Sequence, residues 1–264
     1  MSARVTALPG AVERVSGLAR AHVAGEPSGF ARSVLSVLER AEYRRCDKGE
    51  DLEDIYRLRY AAYRLSDLVP PDPSRAVHDE LDDLPNCHRF GLYIDGHLVS
   101  TIRLHTVTAD TPYSPAMSVY SDVLEPRLAA GEVFIDPSRF AVHPEWSRIY
   151  PQIPYLTLRL PGMACIHYNA PFCISMIRED HAAFYKRVYK SRPIGDPRPY
   201  AGVINCFALL YQADVLAIMD ETYERYPFFK STAIERRLMF AEPRKGELAP
   251  LTILPTARYM QVAA

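Results

Sequence analysis

The 264 residues carry 31 basic and 32 acidic side chains, a net charge of −1 with histidine neutral, so no global field draws the chain to nucleic acid or an anionic membrane. Hydrophobic residues make up 48% and charged residues 24%, the balance of a globular protein with one substantial core. No run of about 18 apolar residues occurs and no basic-then-apolar leader opens the chain, so neither a transmembrane helix nor secretion is expected. Cys46, Cys87, Cys165, Cys173 and Cys206 are odd in number and include no Cys-x-x-Cys pair. That spacing argues against a zinc site or a disulfide framework, and for cysteines packed in the core of a cytoplasmic protein.

Residues 1–40 contain Gly10, Gly17, Gly25, Pro27 and Gly29 between short amphipathic stretches around 12–23 and 30–38, and read as a leader that is partly helical or mobile. One domain is expected over 41–230, with a tail over 231–264. Residues 42–47 fit a short strand. A helix is expected from Asp51, with Asp54 three residues later in the manner of a capping box. Leu52, Ile55, Tyr56, Arg59, Ala62 and Tyr63 recur at helical spacing and share one face. Pro70, Pro71, Pro73 and Pro85 make 67–87 a loop. Phe90, Leu92 and Ile94 alternate, Asp95-Gly96 intervenes, and Leu98, Ile102 and Leu104 follow in phase, which predicts a hairpin.

Residues 106–131 are irregular, with a short helix near 116–129. Residues 132–142 form a strand with Pro137 inside it, which implies a bulge or an edge. Residues 155–168 are helical and interrupted at Pro161-Gly162; 171–177 is a short buried strand, 181–190 a helix, 200–211 a long apolar strand and 213–226 a closing helix. This order, with a central antiparallel hairpin, predicts an α/β (α+β) fold with a mixed sheet rather than a doubly wound parallel one.

Four stretches carry candidate chemistry. Arg59 lies in the middle of an apolar helical face, where a guanidinium either reaches water along its stem or meets a carboxylate. The acidic run 78–83, with Asp79 and Asp82, supplies such partners or is a solvated turn. Arg103 sits mid-strand opposite an apolar face and is either solvent-exposed or part of a site. Asp136-Pro137-Ser138-Arg139 is the most informative. Positions three apart in a regular strand face opposite ways, but one bulge at Pro137 would bring Asp136 and Arg139 together and free a backbone N–H for a ligand.

Arg59 with Tyr63, Asp79 with Asp82, Arg103, and Asp136-x-Ser138-Arg139-Phe140 resemble the signature of the autoinducer (acyl-homoserine-lactone) synthases. They are closer still to the related long-chain N-acyl amino acid synthases. The resemblance covers roughly 42–230. It implies a GNAT-like fold with a mostly antiparallel sheet flanked by helices, no bound cofactor or metal, and an acyl-carrier-protein thioester as donor. Autoinducer synthases carry a Trp in the loop after the first helix, near Val69 here, and a Glu where Asp136 stands. Both departures favour an amino-acid acceptor over S-adenosylmethionine. Residues 144–161 contain no glycine to bring backbone close to a pyrophosphate, which argues against coenzyme A.

The reading is therefore an N-acyltransferase that moves a fatty acyl chain to an amino acid; an autoinducer synthase and a non-catalytic GNAT-like binding domain are the alternatives. Asp136, Arg139 and Arg103 are the expected catalytic residues, with Arg59, Tyr63, Asp79, Asp82, Ser138 and Phe140 binding substrate. Arg103 or Arg139 would hold an amino-acid carboxylate. Residues 178–198 are locally basic, and Arg178, Lys186, Arg187 and Lys190 are expected to dock an acidic carrier protein.

Overall fold

The computed structural model describes residues 26–200, 202–204 and 207–260. Residues 1–25 of the expected leader, and Cys206, lie outside the described residues. β1 (Ala41–Arg45), β2 (Cys87–Ile94) and β3 (His97–Val107) form an antiparallel meander. The β2–β3 turn is Asp95-Gly96, with φ of 50° and 79°. A two-residue hairpin needs this left-handed pair, and glycine adopts it without a Cβ clash.

β4 (Phe134–Val142) continues the antiparallel order on β3, and β5 (Phe172–Ile177) joins β4 in parallel. Two short strands, β6 (Arg192–Pro193) and β7 (Arg198–Pro199), edge β8 (Phe207–Asp214), which pairs antiparallel with β5. The order β1-β2-β3-β4-β5-β8-β6 is a mixed, mostly antiparallel sheet, as the sequence implied.

Helices cover both faces. In chain order they are α1 (Gly29–Leu38), α2 (Gly49–Leu65), α3 (Pro115–Ala129), α4 (Pro144–Ile149), α5 (Ile153–Thr157), α6 (Arg159–His167), α7 (Ala182–Tyr189), α8 (Val215–Arg225) and α9 (Ala233–Phe240). Period-two alternation along β3 divides its side chains. Ile102 and Leu104 enter a large core with residues of α1, α5, α6 and α9, whereas Val107 packs with α3, Phe134, Ile174 and Leu210. Arg103 and His105 lie on the α2–α3 side and are fully buried.

Several expectations shift. α2 begins at Gly49 after Lys48, with no side-chain cap, so the Asp51/Asp54 capping box does not form. Asp51 instead accepts a hydrogen bond from the Tyr93 hydroxyl at 2.9 Å. The break in 155–168 falls at Leu158, because Pro161 and Gly162 sit early enough in α6 for the helix to tolerate them. β8 begins at Phe207 rather than at residue 200.

α1 buries Ala31, Val34 and Leu38 in the main core, and α9 buries Met239 and Phe240 there, so both helices pack with the central domain. Arg159 and Glu235, each with a fully buried side chain, clamp α9 to α6, and Thr256 N–H donates to the same carboxylate at 3.0 Å. Cys46, Cys87, Cys165 and Cys173 are free and buried.

Candidate active site

A local lock positions the acidic pair. Asp79 and Asp82 cap a 3₁₀ turn, Glu80–Asp83, reciprocally: Leu81 N–H donates to Asp79 Oδ1 and Asp79 N–H to Asp82 Oδ2, both at 3.1 Å. The remaining lone pairs of both carboxylates face the sheet. From α2, Arg59 Nη1 donates to Asp82 Oδ1 at 2.9 Å, with both side chains fully buried. From β3, Arg103 Nη1 lies 2.5 Å from Asp79 and 3.0 Å from Asp82, while its Nε donates to Ser138 Oγ at 3.0 Å. From β4, Arg139 pairs with the other oxygen of Asp79 and donates to the Gly202 carbonyl at 3.0 Å. Three guanidiniums thus converge on two carboxylates. Burial pushes Asp79 up, but the hydrogen bonds and charges of Arg103 and Arg139 outweigh it and hold the carboxyl well below its usual range. Asp79 is a permanent anion, unsuited to take a proton.

The β4 bulge lies downstream of the expected position. Pro137 pairs in register with Leu104 and Ser138 with Arg103, but Ala141 pairs with Thr101, so Arg139 and Phe140 together oppose Ile102. Arg139 takes the extra residue's left-handed conformation, φ 52°, held by its bonds to Asp79 and Gly202. The bulge delivers Arg139 to Asp79 rather than to Asp136.

Asp136 stands apart from this network. Its Oδ2 accepts the Ala116 N–H, in the first turn of α3, at 2.8 Å, and its Oδ1 has no partner. Burial pushes its carboxyl up from 3.8 to about 6. Across the ladder His105 pairs with Asp136; its Nε2 is 2.9 Å from the Leu81 carbonyl, and burial followed by the Arg103 charge pushes the ring down to about 4.

β4 and β5 pair only at Phe134–Phe172 and Ile135–Cys173. Beyond those positions the parallel strands part, and a cavity of about 570 Å³ fills the wedge. Asp136, Ser138, Arg139 and Phe140 of β4 and Ser175 and Met176 of β5 line it, together with Tyr63 and Tyr200. Arg103, Arg59, Asp79 and Asp82 do not line it and act through Ser138 and Arg139. Arg178 and His181 reach its rim. Of the expected docking residues, Arg178 pairs with Asp180 at 2.6 Å and Lys190 with Glu221, while Lys186 and Arg187 are exposed on α7. Sequence reasoning passed over Tyr200 and Ser175; each lies in an apolar run with no charge to single it out.

A family model described as N-acyl amino acid synthase FeeM matches residues 54–214, and the chain belongs to that family of acyltransferases. The solved structure of FeeM, an N-acyl amino acid synthase from uncultured soil microbes, superposes with a TM-score of 0.59 at 18% identity, covering 70% of this chain and 97% of its own. The CoA-dependent acyl-homoserine lactone synthase BjaI gives a TM-score of 0.49 at 15% identity (66% and 81% covered), and the autoinducer synthase LasI gives 0.48 at 13% (66% and 89%). No curated protein sequence matches the chain. The likeness to solved structures establishes the fold, and the family match establishes the enzyme class.

The raised Asp136 value has a signed consequence. The folded chain binds this proton more tightly than the unfolded one, so the group favours folding at low pH and that contribution is lost as pH rises through about 6. Relative to Asp136→Asn, the wild type should gain about 2 kcal/mol of stability between about pH 8 and pH 4. Paired urea titrations at the two pH values check this; a difference that does not change with pH would show that Asp136 is not held at a raised value.

Proposed function

We propose that the chain moves a fatty acyl group from acyl carrier protein to the amine of an amino acid, with the reaction centred on the β4 face of the wedge. The observation that carries this reading is a cavity with Asp136, one of whose oxygens is buried without a partner, and the bulged Arg139 on one wall. An amino-acid ammonium titrates well above the carboxylate range, so a carboxyl raised to about 6 is better matched to accept its proton than an ordinary one while remaining ionised at neutral pH. The freed nitrogen lone pair attacks the thioester carbonyl. The C–N bond forms, the C–S bond breaks, and the thiol leaves with a proton. β4 backbone groups that face the wedge lack a β5 partner and are available to the carbonyl oxygen as it gains charge. Arg139, whose Nε–H is buried without a partner, is placed to hold the acceptor carboxylate.

Two features support a carrier-protein donor. Residues 144–161, after β4, lack glycine. Lys186 and Arg187 are exposed on α7, the helix that follows the rim residues Arg178 and His181. Among the described residues no helix is long and apolar enough to cross a membrane. A donor made in the cytoplasm would place the enzyme there.

Purified enzyme incubated with acyl-carrier thioester and amino acids should yield N-acyl amino acids by mass spectrometry. Arg139→Ala should cut turnover by about 10²-fold or more with the fold intact by circular dichroism, and Arg139→Lys should not restore it, because one ammonium cannot reproduce the separate bonds of the two Nη groups to Asp79 and Gly202. Wild-type rates in the alanine variant would remove Arg139 from the site.

Lys186→Glu with Arg187→Glu should raise KM for the carrier thioester, more at low salt than at high, and leave KM for the amino acid unchanged. Equal or better use of the coenzyme A thioester, with no salt dependence, would overturn the docking assignment.

A further inference from the structure

His105 and Asp136 are opposite members of the β3–β4 ladder, and each carries a buried polar atom without a partner: Nδ1 of the ring and Oδ1 of the carboxyl. Side chains directly opposite in an antiparallel pair stand on the same face, with Cβ atoms about 4.5–5.5 Å apart. Both residues are buried, His105 fully and Asp136 almost so. A buried polar atom left without a partner is costly, and here two of them belong to neighbouring side chains.

The tautomer of His105 follows from its other nitrogen. Nε2 lies 2.9 Å from the Leu81 carbonyl oxygen, which can only accept, so the ring proton is on Nε2. Burial and the Arg103 charge push the ring down to about 4; Leu81, Asp82 and Asp79 act in the opposite sense and do not restore the charge. The ring is neutral, and Nδ1 presents a bare lone pair. Around Asp136, the Ala116 N–H, the Ser114 hydroxyl and the Arg103 charge all favour the anion against burial, and Tyr200 lies within its field. The lone pair of His105 does the reverse: it repels a carboxylate and accepts a hydrogen bond from a carboxylic acid.

We propose that His105 is a positioning residue for Asp136: its Nδ1 accepts a hydrogen bond from the proton on Asp136 Oδ1, directly or across one water. The inference rests on the reading that Asp136 takes the amine proton. In that step the ammonium N–H bond breaks and the Asp136 O–H bond forms. His105 accepts a hydrogen bond and changes neither its charge nor its tautomer. It therefore stabilises the loaded base without competing for the proton. It also directs the proton to Oδ1 and leaves Oδ2 to the Ala116 N–H.

The test is nitrogen-15 NMR of the full-length protein labelled at histidine, followed between about pH 5 and pH 8. The His105 signals, identified by their loss in His105→Gln, should show Nε2 protonated and Nδ1 bare throughout. The Nδ1 shift should move as Asp136 titrates near 6, and Asp136→Asn should abolish that movement. The glutamine of His105→Gln can still donate to Leu81 but has lost the Nδ1 lone pair. In that variant the Asp136 midpoint, read from its carboxyl carbon, should fall by about half a unit or more. The acid limb of the kcat/KM profile should fall with it. A packing role alone moves neither midpoint nor limb. A protonated Nδ1, an Nδ1 shift indifferent to pH, or an unchanged Asp136 midpoint in His105→Gln would overturn the proposal. The two readings fail separately. An Asp136→Asn enzyme that transfers acyl groups at the wild-type rate, while the Nδ1 shift of the wild type tracks Asp136, sinks the base assignment alone. An inert Asp136→Asn enzyme whose wild type shows no such tracking sinks this proposal alone.

Discussion

Beyond Ile135 and Cys173, β4 and β5 stop hydrogen-bonding to each other, and the rest of the site depends on that parting. β4 remains held along its other edge by β3, and β5 by β8, so neither strand collapses into the gap. A parallel pair opened in this way exposes unpaired backbone polar groups inside the protein, where a lost partner is costly. Under the proposed function, a substrate carbonyl takes the place of the missing strand. The same parting gives the wedge its floor of apolar side chains and its wall of polar ones.

The buried arginines account for the stiffness of that wall. Each guanidinium taken from water carries a desolvation cost of several kcal/mol, recovered only with well-placed anions and hydrogen bonds. Arg59, Arg103 and Arg139 obtain theirs from Asp79 and Asp82, which the reciprocal caps of the 3₁₀ turn orient. Burial still lowers the proton affinity of Arg59, whose Nε and Nη2 have no partner. Within this network Arg139 is held in a left-handed conformation at the bulge. A residue kept in that sparsely populated region signals that its surroundings over-determine it, as a pre-organised site requires. Asp136, in contrast, meets no arginine directly, and its environment leaves it able to gain and lose a proton near neutrality. Two carboxylates a short distance apart on one scaffold are thus driven toward opposite roles.

Much of this was legible in the residues. The Asp95-Gly96 hairpin, the helical face carrying Arg59 and Tyr63, and the strand around Asp136 all follow from local periodicity and turn chemistry. The pairing of Arg59 with the acidic run was inferable because a buried charge needs a partner and the run 78–83 follows within reach. The register of the bulge was not, because it is decided by how β3 and β4 align over several pairs, and a proline in the strand pointed two residues too early. Nor could sequence show that Arg139 would turn to Asp79, since the partner comes from a loop 60 residues away. Tyr200, Ser175 and the wedge itself arise from elements meeting in space, and no local signal marks them. The amphipathic stretch at 30–38 was legible as part of the leader, but its docking on the core was not, and α9 fell within the expected tail for the same reason.

In the proposed function, the acyl thioester reacts within the gap between β4 and β5. An acyl-carrier thioester bearing a photoreactive diazirine in its chain can be irradiated on the enzyme and the cross-links mapped by peptide mass spectrometry. Cross-links are expected on the β4 and β5 segments, 134–142 and 172–177, suppressed by unlabelled acyl donor. Labelling confined to surfaces outside the wedge, with those two segments clean, would contradict it.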